Sequence, residues 1–318
     1  MRRLRADLHI HSWHSRQSGN LRFLRSRDCY SDPAAVYAVA KARGMDLVTI
    51  TDHDSIDGGL EFLDRHPDTA DFILGEEVSC RFPGTELEVH LGVYGTTERL
   101  HRELQPLRDN VFDVAACLRE AGVFFSLNHL LHFYRRQAPL SAYLRLLEQV
   151  PALETRNGTM LAAHNALTAT LAGGWQQEDG RSLTGVGGSD AHTLRRIGTT
   201  WTEAPGRTRE EFLQSLRQGH ASARGAHGNT ATIAMDAYGV IAAYVASLAG
   251  VGPRDHRGLE RVLCLMFSAV SLPAQFLPVV IAGAGKWREA REVRRTAREL
   301  SAWRNEPECD AMAPEVQV

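Results

Sequence analysis

Histidine is heavily used in this chain, and where it stands matters more than how often. There are 14 histidines in 318 residues, several in short clusters beside carboxylates. In DLHIHS, His9 and His11 stand two apart on an expected strand, so both imidazoles leave one face and can reach one cation. In TITDHDSIDG, Asp52, His53 and Asp54 follow the apolar stretch Leu47–Thr51. FILGEEVSC runs an apolar strand into Glu76 and Glu77, where one inward carboxylate can bridge two cations. EVHLGVYG puts His90 inside an apolar strand, FFSLNHL puts His129 at the end of another, and GVGGSDAHT leads through glycines to Asp190 and His192. Taken singly, each has an ordinary explanation: a capped turn for Asp52 or Ser55, a packed core histidine for His90 or His129. Taken together, His9/His11, His53, Glu77, His129 and Asp190/His192 fall at or just beyond the C-terminal ends of separate expected strands, which share one rim in a parallel barrel. A mixed nitrogen and oxygen set suits Zn, Mn or Fe rather than Mg or Ca. More than four such ligands implies two or three divalent ions.

The elements that must position these residues are short and alternating. Strands are expected at Arg5–His11, Asp46–Thr51, Asp71–Val78, Glu88–Tyr94, Val123–Asn128, Ala152–Arg156 and Leu183–Gly187. Helical patterns fall at Pro33–Arg43, Glu98–Ala121, Leu140–Gln149, Ala162–Ala172 and Arg209–Arg217, with Pro33 opening one and Gly44 and Gly122 closing two. Strands alternating with helices imply βα units and a mainly parallel sheet. About seven units before residue 225 suit a barrel, and residues 190–230, rich in Gly, Arg, Thr and Ala, read as closing loops.

Residues 1–228 are therefore expected to form the barrel and residues 229–318 a helical extension. Gly239–Val251 is apolar, Val262–Gly285 holds no charged residue, and the basic pattern KWREAREVRRTAREL follows from Lys286. The charge-free run is long enough to span a bilayer, although Pro273, Gln275 and Pro278 interrupt it; a hydrophobic cap or homodimer surface accounts for it as well. The tail after Asn305 reads as disordered. A net charge of -2 excludes the signature of a basic nucleic-acid-binding protein and leaves small phosphorylated substrates open. The five scattered cysteines form no C-x-x-C pair, and MRRLRADLHIHS has no apolar h-region behind it, so a cytoplasmic protein with reduced thiols is expected.

The ordered series DLHIHS, TDHD, GEE, EVHLGVYG, NHL and GSDAH, over residues 6–193, resembles the PHP superfamily, named for its polymerase and histidinol phosphatase members. That resemblance implies a distorted (β/α)7 TIM-like barrel with a two- or three-metal centre that hydrolyses phosphate esters. By it, His9, His11, Glu77 and Asp190 are ligands of a first metal; Glu77 bridges to a second held with His90 and His129; His53 and His192 belong to a third. The family usually carries an Asp or His ligand soon after H-x-H. Here the segment reads HIHSWHSRQSGNLRFLRSRDCYSDP, an insertion in which Asp28 stands at the expected offset and His14 and Asp32 are rivals. Its Arg16, Arg22, Arg25 and Arg27 are candidates to contact substrate.

The chemistry expected is attack of a metal-bound hydroxide on phosphorus. No G-x-S-x-G elbow, P-loop or C-x-x-C motif competes. Arg195, Arg196 and Arg156 are candidates to clamp the phosphate, and His192 or Asp52 to protonate the leaving group. Nucleotides, nucleoside bisphosphates and short oligonucleotide ends are the substrates the resemblance implies, with histidinol phosphate as another. The reading from a different class is a metal-stabilised scaffold whose C-terminal helices bind a membrane or protein partner.

Overall fold

The structure is a computed structural model that describes residues 2–15, 24–85, 87–131, 139–177, 180–271, 274 and 276–305. Its strands are β1 (Arg3–Asp7), β2 (Leu47–Ile50), β3 (Phe72–Arg81), β4 (Glu88–Tyr94), β5 (Phe124–Leu127), β6 (Ala152–Asn157), β7 (Thr184–Gly188), β8 (Thr200–Pro205) and β9 (Ser222–Gly225). The helices of the barrel are α1 (Pro33–Ala42), α2 (Asp57–Arg65), α3 (Glu98–Leu104), α4 (Val111–Glu120), α5 (Leu140–Leu147), α6 (Ala162–Gly174) and α7 (Arg209–Arg217). The short strands LVTI and FFSL are buried at every position, as strands covered on both faces must be.

One sheet holds all nine strands in the order β7-β6-β5-β4-β3-β2-β1-β8-β9. It curls until its ends meet. Beyond β1 and β7, Ile10 pairs with Ala191, and the His11 N–H donates to the Ala191 carbonyl at 3.0 Å. Lower in the same seam, Thr202 of β8 accepts from the Gly187 N–H and donates to its carbonyl, both at 2.8 Å. The result is a nearly closed barrel. Its strand count and direction differ from seven parallel strands: β4 runs antiparallel to both β3 and β5, β8 is added antiparallel beside β1, and β9 pairs antiparallel with β8. Residues 190–230 are thus not only loops. The strict in-out burial of TWTEAP marks β8 as a half-buried strand. The expected helix Glu98–Ala121 is also two helices, because Pro106 supplies no N–H and Asn110 caps a fresh start through the Phe112 N–H.

The extension consists of α8 (Thr230–Leu248), α9 (Gly258–Val270) and α10 (Leu277–Asn305). The charge-free run Val262–Gly285 is not one span: α9 stops at Val270 and α10 opens at Leu277 with Pro278 in its first turn. Among the described residues one helix, Thr230–Leu248, is long and apolar enough to cross a membrane. That helix is tied to the barrel, where Asp236 lies 3.4 Å from Arg196. Further along, Lys286 donates to the Thr159 carbonyl at 2.6 Å and Glu289 accepts from the Leu161 N–H at 2.7 Å. The tail after Asn305 lies outside the described residues.

Under α10, His164 of α6 is fully buried, and its Nε2 faces the Leu131 N–H at 3.3 Å. Burial, with His129 and Lys286 nearby, pushes its pKa down to about 3 from 6.5. The unfolded chain therefore takes up a proton that the fold refuses. Stability should fall by about 1.4 kcal/mol per pH unit below pH 6.5 from this group alone. His164→Gln keeps an acceptor for Leu131, and denaturant titrations from pH 7 to 5 should show a shallower loss for it than for wild type.

Candidate metal centre

Six strand ends deliver the candidate ligands to one rim. His9 and His11 follow β1, His53 follows β2, Glu77 sits in β3, His129 follows β5, and Asp190 and His192 follow β7. Because β4 is reversed, His90 near its start reaches the same rim. The two-residue period of β3 separates its paired acids. Glu77 turns into the barrel, while Glu76 turns out to the His101 ring at 2.7 Å. Close approach of β7 to β1 requires a glycine, since a Cβ on Gly188 would lie 2.6 Å from the His9 nitrogen. His129 and Asp190 adopt left-handed backbone, φ 27° and 52°, a cost tolerated where a side chain must be aimed.

The geometry converges on the Glu77 carboxylate. One oxygen lies 3.1 Å from His9 Nε2, 3.1 Å from His53 Nδ1 and 3.5 Å from His11 Nε2. The other lies 3.1 Å from His129 Nε2 and 3.4 Å from His90 Nδ1. Asp190 stands 3.6 Å from both His9 and His11, and 3.5 Å from His192. Four overlapping trios have their ligand atoms close enough to share an ion: His9/His11/Asp190, His9/Glu77/His129, His53/Glu77/His90 and His11/His53/His192.

These donors fit divalent cations on the criterion of satisfaction. His9 Nε2, His11 Nε2, His53 Nδ1, His90 Nδ1 and one Glu77 oxygen are buried with no hydrogen-bond partner among the described residues. Burial drives the Glu77 carboxyl toward neutrality, but His9, His90 and His53 outweigh it and hold the group well below the usual carboxylate range. Burial depresses His53 strongly and brings His11 down to about 4, with His192 adding to both. Against the pull of burial, Glu77 in turn raises His9 well above its usual value and brings His90 up to about 10, so these two rings would release protons to a bound cation.

A supporting shell fixes these rings. Glu154 accepts from His9 Nδ1 at 3.0 Å, which presents Nε2 to the centre, and also from the His129 N–H at 2.9 Å. Asn128 donates to Glu77 at 3.0 Å, and Ser15 Oγ sits 3.1 Å from His11 Nδ1. Sequence reasoning missed Glu154. A carboxylate in the apolar strand ALETRN is the signal that could have found it.

The insertion and the arginines divide differently. Asp28 lies 3.8 Å from His53 Nε2 with one oxygen buried and unpartnered. His14 instead pairs with Glu61, and Asp32 caps α1 through the Ala34 and Ala35 N–H groups. Asp52 is 1% exposed, and its oxygens each take a 2.6 Å bond from Ser12. Arg196 donates to the Gly158 carbonyl and Arg156 to the Gly225 carbonyl at 2.7 Å, so both are spent on backbone; Arg195 stays half exposed, 3.7 Å from Asp236. Arg25 faces Glu260 at 3.4 Å, and Arg27 makes two 2.6 Å bonds to Asp255. Arg16 and Arg22 lie outside the described residues.

Three outcomes follow from this geometry. Glu154→Gln should weaken metal affinity by roughly 10- to 100-fold, and zinc or manganese at about 100 times its Kd should stabilise stripped protein by about 2.7 kcal/mol; competition with a chromogenic chelator and thermal melts read both. Asp255→Ala should release Arg27, the residue before Asp28, and lower total bound metal by a fraction of the sites, measured by elemental analysis.

A family profile described as PHP-associated matches residues 179–221. An uncharacterized protein of Methanocaldococcus jannaschii is 41% identical over 58 residues, 18% of this chain and 33% of its own, so the chain spans about a third of the curated relative it matches. Among solved structures, PsfC from Pseudomonas syringae superposes with a TM-score of 0.50 at 19% identity, over 79% of this chain and all of that one. A two-domain protein from Bacteroides vulgatus, described as containing a PHP-like metal-dependent phosphoesterase, gives 0.49 at 17% identity, over 75% of this chain and 70% of that one. The profile match falls on the segment that bears Asp190 and His192, and the remaining motifs that resemble the PHP superfamily stand in order around the barrel.

Proposed function

We propose that the protein is a metal-dependent hydrolase of phosphate esters, acting on small phosphorylated substrates of the nucleotide or nucleoside bisphosphate kind. The observation that carries this reading is one buried carboxylate with five imidazole nitrogens within 3.5 Å, those of His9, His11, His53, His90 and His129. A structural site closes with four ligands; this donor set exceeds that, and it suits two or three ions of the Zn, Mn or Fe type. Ions held there would lower the pKa of water and offset charge on phosphoryl oxygens.

The chain's own residues fill the other roles. Glu77 joins the sub-sites, and Glu154 sets the His9 tautomer. His192 has a side chain 26% exposed and stacks on His11 at 4.2 Å, so it is the candidate that can reach a leaving group at the mouth. Asp52, with both oxygens on Ser12, is a positioning residue that holds the turn after His11. Arg195 is the remaining candidate for the phosphate.

The test is phosphate release from mononucleotides, nucleoside 3′,5′-bisphosphates and histidinol phosphate, with added Mn, with added Zn and after chelation. Turnover should vanish with chelator and fall by more than about 100-fold in His11→Ala, a direct ligand whose loss costs at least as much as a supporting residue. Arg195→Ala should raise KM more than it lowers kcat. Metal-loaded protein inert to the whole panel would favour the scaffold reading.

A further inference from the structure

The extension carries an apolar surface that the barrel does not cover. On α9 the side chains of Leu259, Val262, Leu263, Met266, Phe267 and Val270 are exposed, and Phe276, Leu277, Val279, Val280 and Ile281 continue the surface into α10. Val270 is 78% exposed and Phe276 61%, at the turn between the helices. Exposed apolar side chains in this number on neighbouring segments of a folded protein mark a contact.

The charges around the patch decide what it contacts. Every exposed charged residue described between 254 and 298 is an arginine: Arg254, Arg257 and Arg261 at one end, Arg288, Arg291, Arg294 and Arg298 at the other. The carboxylates there are drawn inward or paired: Asp255 with Arg27, Glu260 with Arg25, Glu289 with Lys286, Glu292 and Glu299 with Arg295. Trp287 stands where the apolar stretch gives way to the basic one, with the Arg291 guanidinium 5.9 Å from its ring. An apolar strip, then an aromatic side chain, then a cationic rim matches the layers of an anionic bilayer surface from acyl chains to headgroups. Neither helix spans: α9 has 13 residues, about 20 Å, and the charge-free start of α10 is shorter.

We infer that α9 and the start of α10 form a monotopic membrane anchor, which lays Val270 and Phe276 into the acyl boundary of an anionic leaflet and sets its arginines on the headgroups. The inference does not depend on the phosphoesterase reading. It does place the metal centre close to a membrane, since Lys286 and Glu289 of α10 touch the loop after β6 on the metal-bearing rim.

Full-length protein would be sedimented with phosphatidylcholine vesicles and with vesicles containing about a third phosphatidylglycerol. Binding should be at least about ten-fold tighter to the anionic vesicles and weaken with salt. Val270→Asp with Phe276→Asp should lose binding by ten-fold or more, and so should Arg288→Glu with Arg291→Glu and Arg294→Glu, while melting temperature and metal content stay unchanged. Equal binding of wild type and both variants would overturn the inference. So would a concentration-dependent dimer that Val270→Asp with Phe276→Asp dissociates, without vesicle binding, which would assign the surface to a second copy of the chain.

Discussion

A carboxylate cannot be sealed away from water inside a protein without something positive beside it. Glu77 has no exposed surface, and the side chains around it are imidazoles, which can offer a proton or a lone pair but no fixed charge. Left to protons, the group is compensated only while some of those rings are charged. With cations it is compensated while every ring stays neutral. Much else about the rim follows from that choice. Glu154 turns His9 so that a lone pair faces inward, Asn128 donates to the one oxygen that can spare an acceptor site, and Asp190 adds a second negative charge on the far side of His9 and His11.

The barrel serves this constraint through its ends rather than its middle. The lower interior is a packed plug, with Leu4, Leu47, Ile73, Tyr94 and Phe124 in one buried cluster with Phe212 and Leu216 of α7. The metal-bearing rim is polar, and its backbone departs from regular geometry where aim matters, at Asp54, His129 and Asp190. Regular strands below and irregular backbone above let six strand ends act as one site.

Much of this was legible because strand periodicity is local. The spacing in DLHIHS and the apolar runs before Asp52, Glu77, His129 and Asp190 already say which side chains share a rim. What was not legible was nonlocal. Arg156 and Arg196 look like free phosphate ligands in a linear sequence; only the fold supplies the Gly225 and Gly158 carbonyls that occupy them. The reversal of β4 leaves no mark on its composition. Pro106, by contrast, was a local signal inside Glu98–Ala121 that the apolar pattern outweighed.

The bond from Arg27 to Asp255 joins positions 228 residues apart, and a second tie runs from His256 to the Leu24 carbonyl at 2.7 Å. The insertion that brings Asp28 to His53 is thus held from the extension as well as from the barrel, where the Cys29 thiol donates to the His11 carbonyl at 3.2 Å and Ser31 accepts from the Trp13 N–H at 2.9 Å. A chain without the helices would keep only the barrel-side bonds of this insertion and lose the two that come from Asp255 and His256. The position of Asp28 beside His53 is therefore coupled mechanically to the C-terminal helices, although they lie outside the barrel.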